Sequence, residues 1–284
     1  ATITLSDAGT VTGNASIGAY ALATAGGTTF TLGSDTQSVT TGTGGADTVD
    51  VGTRTATGTF TTIATDTIKL DTGADVQGVD SGAGAGGAFT ANNLSLVSGA
   101  SVTMTAAQNN SFSGTITAAG SETITLSDAN AATGLTNIEA YTLANGAQTF
   151  TLGAASQDVT TGSGAVVIDT GAVVDITDAA LDGRNSTTLT INVAADTDIS
   201  DAIITGNLGT QDANYTIDVA ENADAITMMI AQHALLGTVT GGGDATITLS
   251  DAGTVTGNAN IGAYALANGA QTFTLGAASQ DVTT

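Results

Sequence analysis

Acidic side chains carry nearly all the chemistry this sequence has to offer. There are 26 Asp and Glu against 3 Lys and Arg, 1 His and no Cys. All the acids but Glu122, Glu139 and Glu221 are Asp. They gather at Asp47 and Asp50, at Asp66, Asp71, Asp75 and Asp80, at Asp169, Asp175, Asp178 and Asp182, and at Asp196, Asp198 and Asp201. Clustered carboxylates suit a hard cation, because Ca2+ takes about six to eight oxygen ligands. A plainer reading stands beside this one. Asp bonds its own backbone and favours turns, so the same clusters also read as solvated corners. Charge favours the ion. Like charges about 5–10 Å apart cost on the order of 2–3 kcal/mol per pair at an effective dielectric near 20, and domains are stable by only about 5–15 kcal/mol. Arg54, Lys69 and Arg184 are too few to offset a formal net charge of -23. The expected ligand set is Gly45, Asp47, Asp50, Asp71, Asp75, Asp169 and Asp175, with Ca2+ as the expected cofactor.

Catalysis finds little support. The one imidazole, His233, lies between Gln232 and Ala234 and beside Leu235 and Leu236, the setting of a packed or surface His. Without Cys there is no thiol nucleophile, no Cys/His zinc site and no disulfide. No Ser sits in a nucleophile-elbow motif. Glycoside cleavage needs a groove with sugar-stacking aromatics, and 6 Phe and 4 Tyr scattered along the chain make a poor one. No catalytic residue is expected. A nucleic-acid partner needs a basic footprint, which the charge excludes. An anionic membrane surface would repel the chain, and no run approaches the roughly 18 apolar residues of a membrane span. No signal peptide is visible in the sequence.

The elements that must position these acids are short strands. Gly is 38 of 284 residues, Pro and Trp are absent, and aromatics are 4%. Asp-rich, Glu-poor composition with abundant Thr, Val and Ile excludes an all-helical chain. Triplets such as Thr2-Ile3-Thr4, Thr29-Phe30-Thr31, Thr115-Ile116-Thr117 and Thr188-Leu189-Thr190 alternate with period two, placing the apolar residue on one face and both Thr on the other. Apolar centres at Ile3, Val11, Leu22, Phe30, Val39, Val49, Phe60, Ile68, Val76 and Phe89 follow one another with turn residues between. The segment from Asp224 to Leu236, DAITMMIAQHALL, breaks this pattern and reads as either a short helix or a broad buried strand.

Repetition organises the whole chain. TITLSDAGTVTGNASIGAYALA begins at Thr2, TITLSDANAATGLTNIEAYTLA at Thr123 and TITLSDAGTVTGNANIGAYALA at Thr246. The periods are 1–121, 122–244 and 245–284, the last cut short, as in a window on a longer array. Two all-β architectures fit. In a parallel β-solenoid, coils of roughly 20 residues stack at about 4.8 Å, about six coils to a period. In the alternative, each period is one of a series of tandem β-sandwich domains. Sandwiches bury large aromatics and place Pro in their loops, so the composition favours the solenoid.

Two stretches resemble a known family. Gly42-Thr43-Gly44-Gly45-Ala46-Asp47-Thr48-Val49-Asp50 is similar to the nonapeptide of RTX (repeats-in-toxin) proteins, G-G-x-G-x-D-x-U-x, with Thr43 in place of the second Gly. More degraded versions stand at 162–165 and 241–244. Leu135-Thr136-Asn137-Ile138-Glu139-Ala140-Tyr141-Thr142-Leu143 resembles the LTNIEAL strand beside such repeats in secreted bacterial adhesins and S-layer proteins, with Gly18 and Gly262 replacing Glu139 in the other copies. The resemblance implies a calcium-dependent extracellular β-solenoid.

The expected function is therefore structural: an extracellular, self-associating filament, adhesin stalk or surface layer, rigidified by Ca2+. The alternative is a binding module whose Thr-x-Thr face meets ice or a cell-surface glycan. An uneven step argues against a lattice-matched face, since Ile3 to Val11 is 8 residues and Val11 to Phe30 is 19.

Overall fold

The computed structural model describes residues 1–82, 84–193, 196–205, 215–219, 225–240 and 245–284. They form two compact units, Ala1–Thr142 and Leu143–Thr284. Each is a parallel β-solenoid. Helix is confined, among the described residues, to two short segments, α1 (Ala106–Ser111) and α2 (Ile230–Ala234). No helix among these residues is long and apolar enough to cross a membrane.

In the first unit the strands form three parallel sheets, or walls. One is a six-stranded sheet of Thr10–Thr12, Thr29–Thr31, Thr48–Gly52, Thr67–Leu70, Asn93–Leu96 and Ile116–Thr117. A second is a four-stranded sheet of Thr2–Thr4, Ala19–Ala21, Ser38–Thr40 and Phe60–Thr61, and a third holds Ser101–Met104, Thr123–Leu126 and Ala140–Thr142, stacked through isolated bridges on Asp75 and Thr55. Six strands on one wall match a period of about six coils. The step from Ile3 to Val11 is a crossing from one wall to another, because their strands belong to different sheets. The coil itself is regular: Val11, Phe30, Val49 and Ile68 pair in sequence, each 19 residues from the last.

Period-two alternation builds this stack. Phe30, Val49, Ile68 and Leu94 point inward and are fully buried, each burial contributing about 1.5–3 kcal/mol. The flanking Thr of these triplets stay partly exposed. Aromatics deepen the core where coils meet. Tyr20 lies 4.6 Å from Phe30 between ring centroids, and Phe89 lies 6.4 Å from Phe60 and 5.6 Å from Phe112. Corners are so tight that a Cβ on Gly33 would come within 1.8 Å of the Gly13 carbonyl oxygen.

In the second unit one wall runs through Gln148–Thr151, Ala165–Asp169, Thr188–Val193, Tyr215–Val219 and Leu236–Thr240. A five-stranded sheet holds Thr197–Asp198, Ala225–Met228, Thr246–Leu249, Ala263–Ala265 and Asp281–Thr283. The irregular segment near 224–236 resolves into both readings in succession, strand Ala225–Met228 and then α2. Asp224 and the glycine run 241–244 lie outside the described residues. The first unit holds a counterpart, strand Ser101–Met104 followed by α1. Gln108 and Gln232 sit at the same helical position, and Asn109 corresponds to His233. VTMTAAQN and ITMMIAQH are thus two copies of one strand–helix unit, sharing Thr-Met before the helix and Ala-Gln within it.

Candidate functional site

The RTX-like loop enters strand Thr48–Gly52, and burial at its end decides what Asp47 does. Asp47 is fully buried. One carboxylate oxygen accepts the Gly42 amide within the loop at 2.8 Å, and the other accepts the Thr28 amide of the preceding coil at 2.8 Å. One coil on, Asp66 is also fully buried. It accepts the Asp47 amide and the Ile63 amide at 2.8 Å each, and the Thr41 hydroxyl at 2.5 Å. A buried carboxylate is tolerable only when several donors replace its water. As placed, Asp47 has no outward oxygen to offer an ion, so this loop does not fit the calcium corner that its sequence resembles. Gly45 serves the stacking: a Cβ on Gly26 would come within 2.4 Å of its Cα.

The other expected ligands of the first unit divide. Asp50 and Lys69 are in-register neighbours on adjacent strands, with Lys69 Nζ 2.7 Å from an Asp50 oxygen. Asp71 follows on the same side, one oxygen 3.9 Å from Lys69 Nζ. That oxygen is shielded from solvent and makes no hydrogen bond. The bond to Asp50 holds the Lys69 ammonium above its ordinary pKa despite some burial. Beside them runs an open groove lined by Thr31, Leu32, Asp35, Arg54, Thr55 and Asp71, with Arg54 3.4 Å from Asp35. Asp75 turns back on its own loop, accepting from the backbone and side-chain nitrogens of Gln77.

In the second unit Asp169 closes an Asx turn, accepting the Gly171 amide at 2.8 Å. Asp175 is exposed, its backbone bridging to Asp198. Asp182 forms an ion pair with Arg184 at 2.6 Å, which holds its carboxyl below the ordinary range. The same Asx arrangement recurs at Asp50, Asp80 and Asp198. Asp is chosen for a short side chain that reaches the amide two residues on.

The seven expected ligands therefore do not converge. Asp50 and Asp71 meet through Lys69, whereas Asp47, Asp75 and Asp169 are engaged with amides. Among the described residues, no group of three or more His, Asp or Glu is arranged to hold a metal ion. No family model, no curated protein and no solved structure matches the chain.

Sequence reasoning passes over the polar residues that tie coil to coil. Gln37 is fully buried, donates to the Asn14 and Ile17 carbonyls at 2.7 and 2.9 Å, and accepts the Gly33 amide at 2.6 Å. Gln280 does the same with Asn258, Ile261 and Gly276. A signal for them exists: a Gln stands two residues before the Val of each Val-Thr-Thr, at 37, 157 and 280. His233 is packed. Its Nε2 lies 3.0 Å from the Tyr264 hydroxyl, and burial holds the imidazole below its ordinary pKa. Tyr264 also accepts the Asn258 amide at 2.7 Å.

Proposed function

We propose that this chain is an extracellular structural protein whose work is to make length, as part of a filament, adhesin stalk or surface layer. One observation carries the reading. The strand TITL accepts a different covering strand in each later copy: Ser101–Met104 lies on Thr123–Leu126, and Ala225–Met228 lies on Thr246–Leu249, four residue pairs each. One edge thus accepts any strand of suitable pattern, and parallel coils present such an edge wherever they stop. The gain from covering is visible in one residue type. Ile3 is 39% exposed in this chain, while its counterparts Ile124 and Ile247 are 0% and 1% exposed beneath a covering strand. Val282 is 38% exposed, whereas Val39 and Val159 are fully buried.

In this reading each further coil, of the same chain or of a second copy, covers the edge before it, and stacking of unlike edges does not close, so it propagates. The resemblance to secreted repeat proteins supports the location. Calcium enters as an ion that screens exposed acids such as Asp175 and pairs with Asp71, and Asp47 has no part in holding it. Electron microscopy and sedimentation of the 284-residue chain, with Ca2+ and after chelation, test the proposal. Linear assemblies that vanish in an Ile3→Lys, Val282→Lys variant of unchanged melting temperature are expected. Isolated particles under both conditions at high protein concentration would overturn it.

The binding-module reading gains from the regular coil. Thr10, Thr29, Thr48 and Thr67 pair in register, so their hydroxyls form a ladder on one face. The companion ladder begins at Thr12 and Thr31 and ends at the Asp50–Lys69 ion pair, which shortens any flat array. Thermal hysteresis at low protein concentration, lost in Thr29→Tyr, would favour it over the structural reading.

A further inference from the structure

Two of the three Glu residues face each other across one coil step in the first unit. Strands Thr123–Leu126 and Ala140–Thr142 pair with Thr123 opposite Ala140, which sets Glu122 opposite Glu139. Glu122 is fully buried. One of its oxygens accepts the Gly99 amide at 3.2 Å and the Ala119 amide at 3.0 Å, and the other accepts the Gly120 amide at 2.9 Å. Glu139 accepts the Glu122 amide at 3.0 Å, which sets its carboxyl group against Glu122. No ion pair among the described residues includes either acid.

The repeats supply an independent observation. The positions of Glu122 and Glu139 are held by Ala1 and Gly18 in the first copy, and by Ala245 and Gly262 in the third. Both acids are present or both are absent. A lone Glu122 would still cap three amides, so co-occurrence points to a joint role. Two neighbouring carboxylates cannot both ionise without repulsion, whereas one proton between them makes a strong charge-assisted bond.

We propose that Glu122 and Glu139 share a proton and form a pH-dependent clasp between two consecutive coils of the first unit. The neighbouring titratable groups are otherwise engaged. Tyr141 has its hydroxyl between the Leu135 amide and Asn109, and Asp128 is bonded to the Ala106 amide and Asn130. Burial and the neighbouring Glu122 hold Glu139 above the ordinary carboxyl range. Burial would also raise Glu122, but the Ala119 amide, Glu139 and the Gly99 and Gly120 amides outweigh it and leave it low. The signs follow by linkage. Glu139 contributes stability that is complete below the ordinary Glu value and lost as pH rises through its raised value. Glu122 contributes stability that is present above the ordinary value and lost as pH falls through its lowered one. The clasp is tightest with one proton bound.

Having only three Glu makes the test direct. The full chain labelled with carboxyl-13C glutamate gives three signals, the third from Glu221. One signal is expected to titrate above the ordinary range and one below it, and Glu122→Gln should return the high one towards normal. Relative to a Glu139→Gln variant, which keeps a donor and carries no charge, the melting temperature of the wild type should fall between mildly acid and neutral pH. Three signals titrating together in the ordinary range would overturn the proposal. So would a Glu139 titration indifferent to Glu122→Gln, or parallel melting profiles for wild type and Glu139→Gln, the last readable even if Glu122→Gln does not fold.

Discussion

The backbone N–H of Asp47 donates to a carboxylate oxygen of Asp66 at 2.8 Å, one coil away, while the Asp47 carboxylate reaches back to the Thr28 amide of the coil before. The two acids form a staircase in which each side chain satisfies an amide of the preceding coil. Truncation at Asp66 leaves the Asp47 and Ile63 amides and the Thr41 hydroxyl without that acceptor. Hydrogen bonds to charged groups contribute about 1.5–3 kcal/mol each, and unpaired buried donors cost a similar amount. Asp66→Ala should therefore destabilise by about 3 kcal/mol or more in urea denaturation, and Asp66→Asn by less, since it keeps an acceptor. A loss below about 0.5 kcal/mol, the scale of an ordinary surface substitution, would show the staircase to be incidental.

Removing the Gln280 amide should act in the same way at a different corner. Its nitrogen donates to two carbonyls and its oxygen accepts from Gly276 and Ala277. Gln280→Ala is expected to cost about 2–3 kcal/mol, and Gln280→Glu, which loses both donors, should not rescue it. Thermal melts of the two variants beside the wild type check this.

His233 gives the second unit an acid-side weakness. Its pKa is depressed by burial, so the unfolded chain binds the proton more readily. Stability from the neutral ring is complete above the ordinary His value of about 6.5 and declines as pH falls below it. Asn109, the corresponding residue in the first unit, accepts from the Tyr141 hydroxyl at 3.1 Å without titrating. His233→Asn should flatten the acid limb of the melting profile between about pH 6.5 and 5, within the range where His titrates. An unchanged limb would place the weakness elsewhere.

Glycine corners should tolerate no side chain. A Cβ on Gly33 would lie 1.8 Å from the Gly13 carbonyl oxygen, and one on Gly276 would lie 1.9 Å from that of Gly257. Backbone cannot yield as a side-chain tip can, so Gly33→Ala should cost more than about 2 kcal/mol. A Cβ on Gly18 would meet nothing within 4 Å, and Gly18→Ala serves as the near-neutral control in the same denaturation series.

Much of this architecture is legible in the residue order. Val11, Phe30, Val39, Val49, Phe60 and Ile68 read as apolar centres, and all fall on strands with their side chains inward. Val76 and Phe89 are buried as expected, yet lie outside the named strands, because the chain there carries only isolated bridges at Asp75 and Asp80. VTMTAAQN and ITMMIAQH share Thr-Met and Ala-Gln in register, but that they form a strand followed by a helix shows only in the helix-entry geometry of Gln108 and Gln232.

The sequence by itself favoured the parallel solenoid over tandem sandwiches and determined the period of its repeats and which face of each strand turns inward, because alternation and repeat length are properties of residue order. It could not say what the acids do. An Asp in a turn reads the same whether its carboxylate faces water, a cation or an amide one coil away, and only stacking brings Thr28 to Asp47, Asp47 to Asp66 and Glu122 to Glu139. Those partners are about 20 residues apart along the chain and one strand spacing of about 4.8 Å apart in space. That difference in distance is what the tertiary structure supplied.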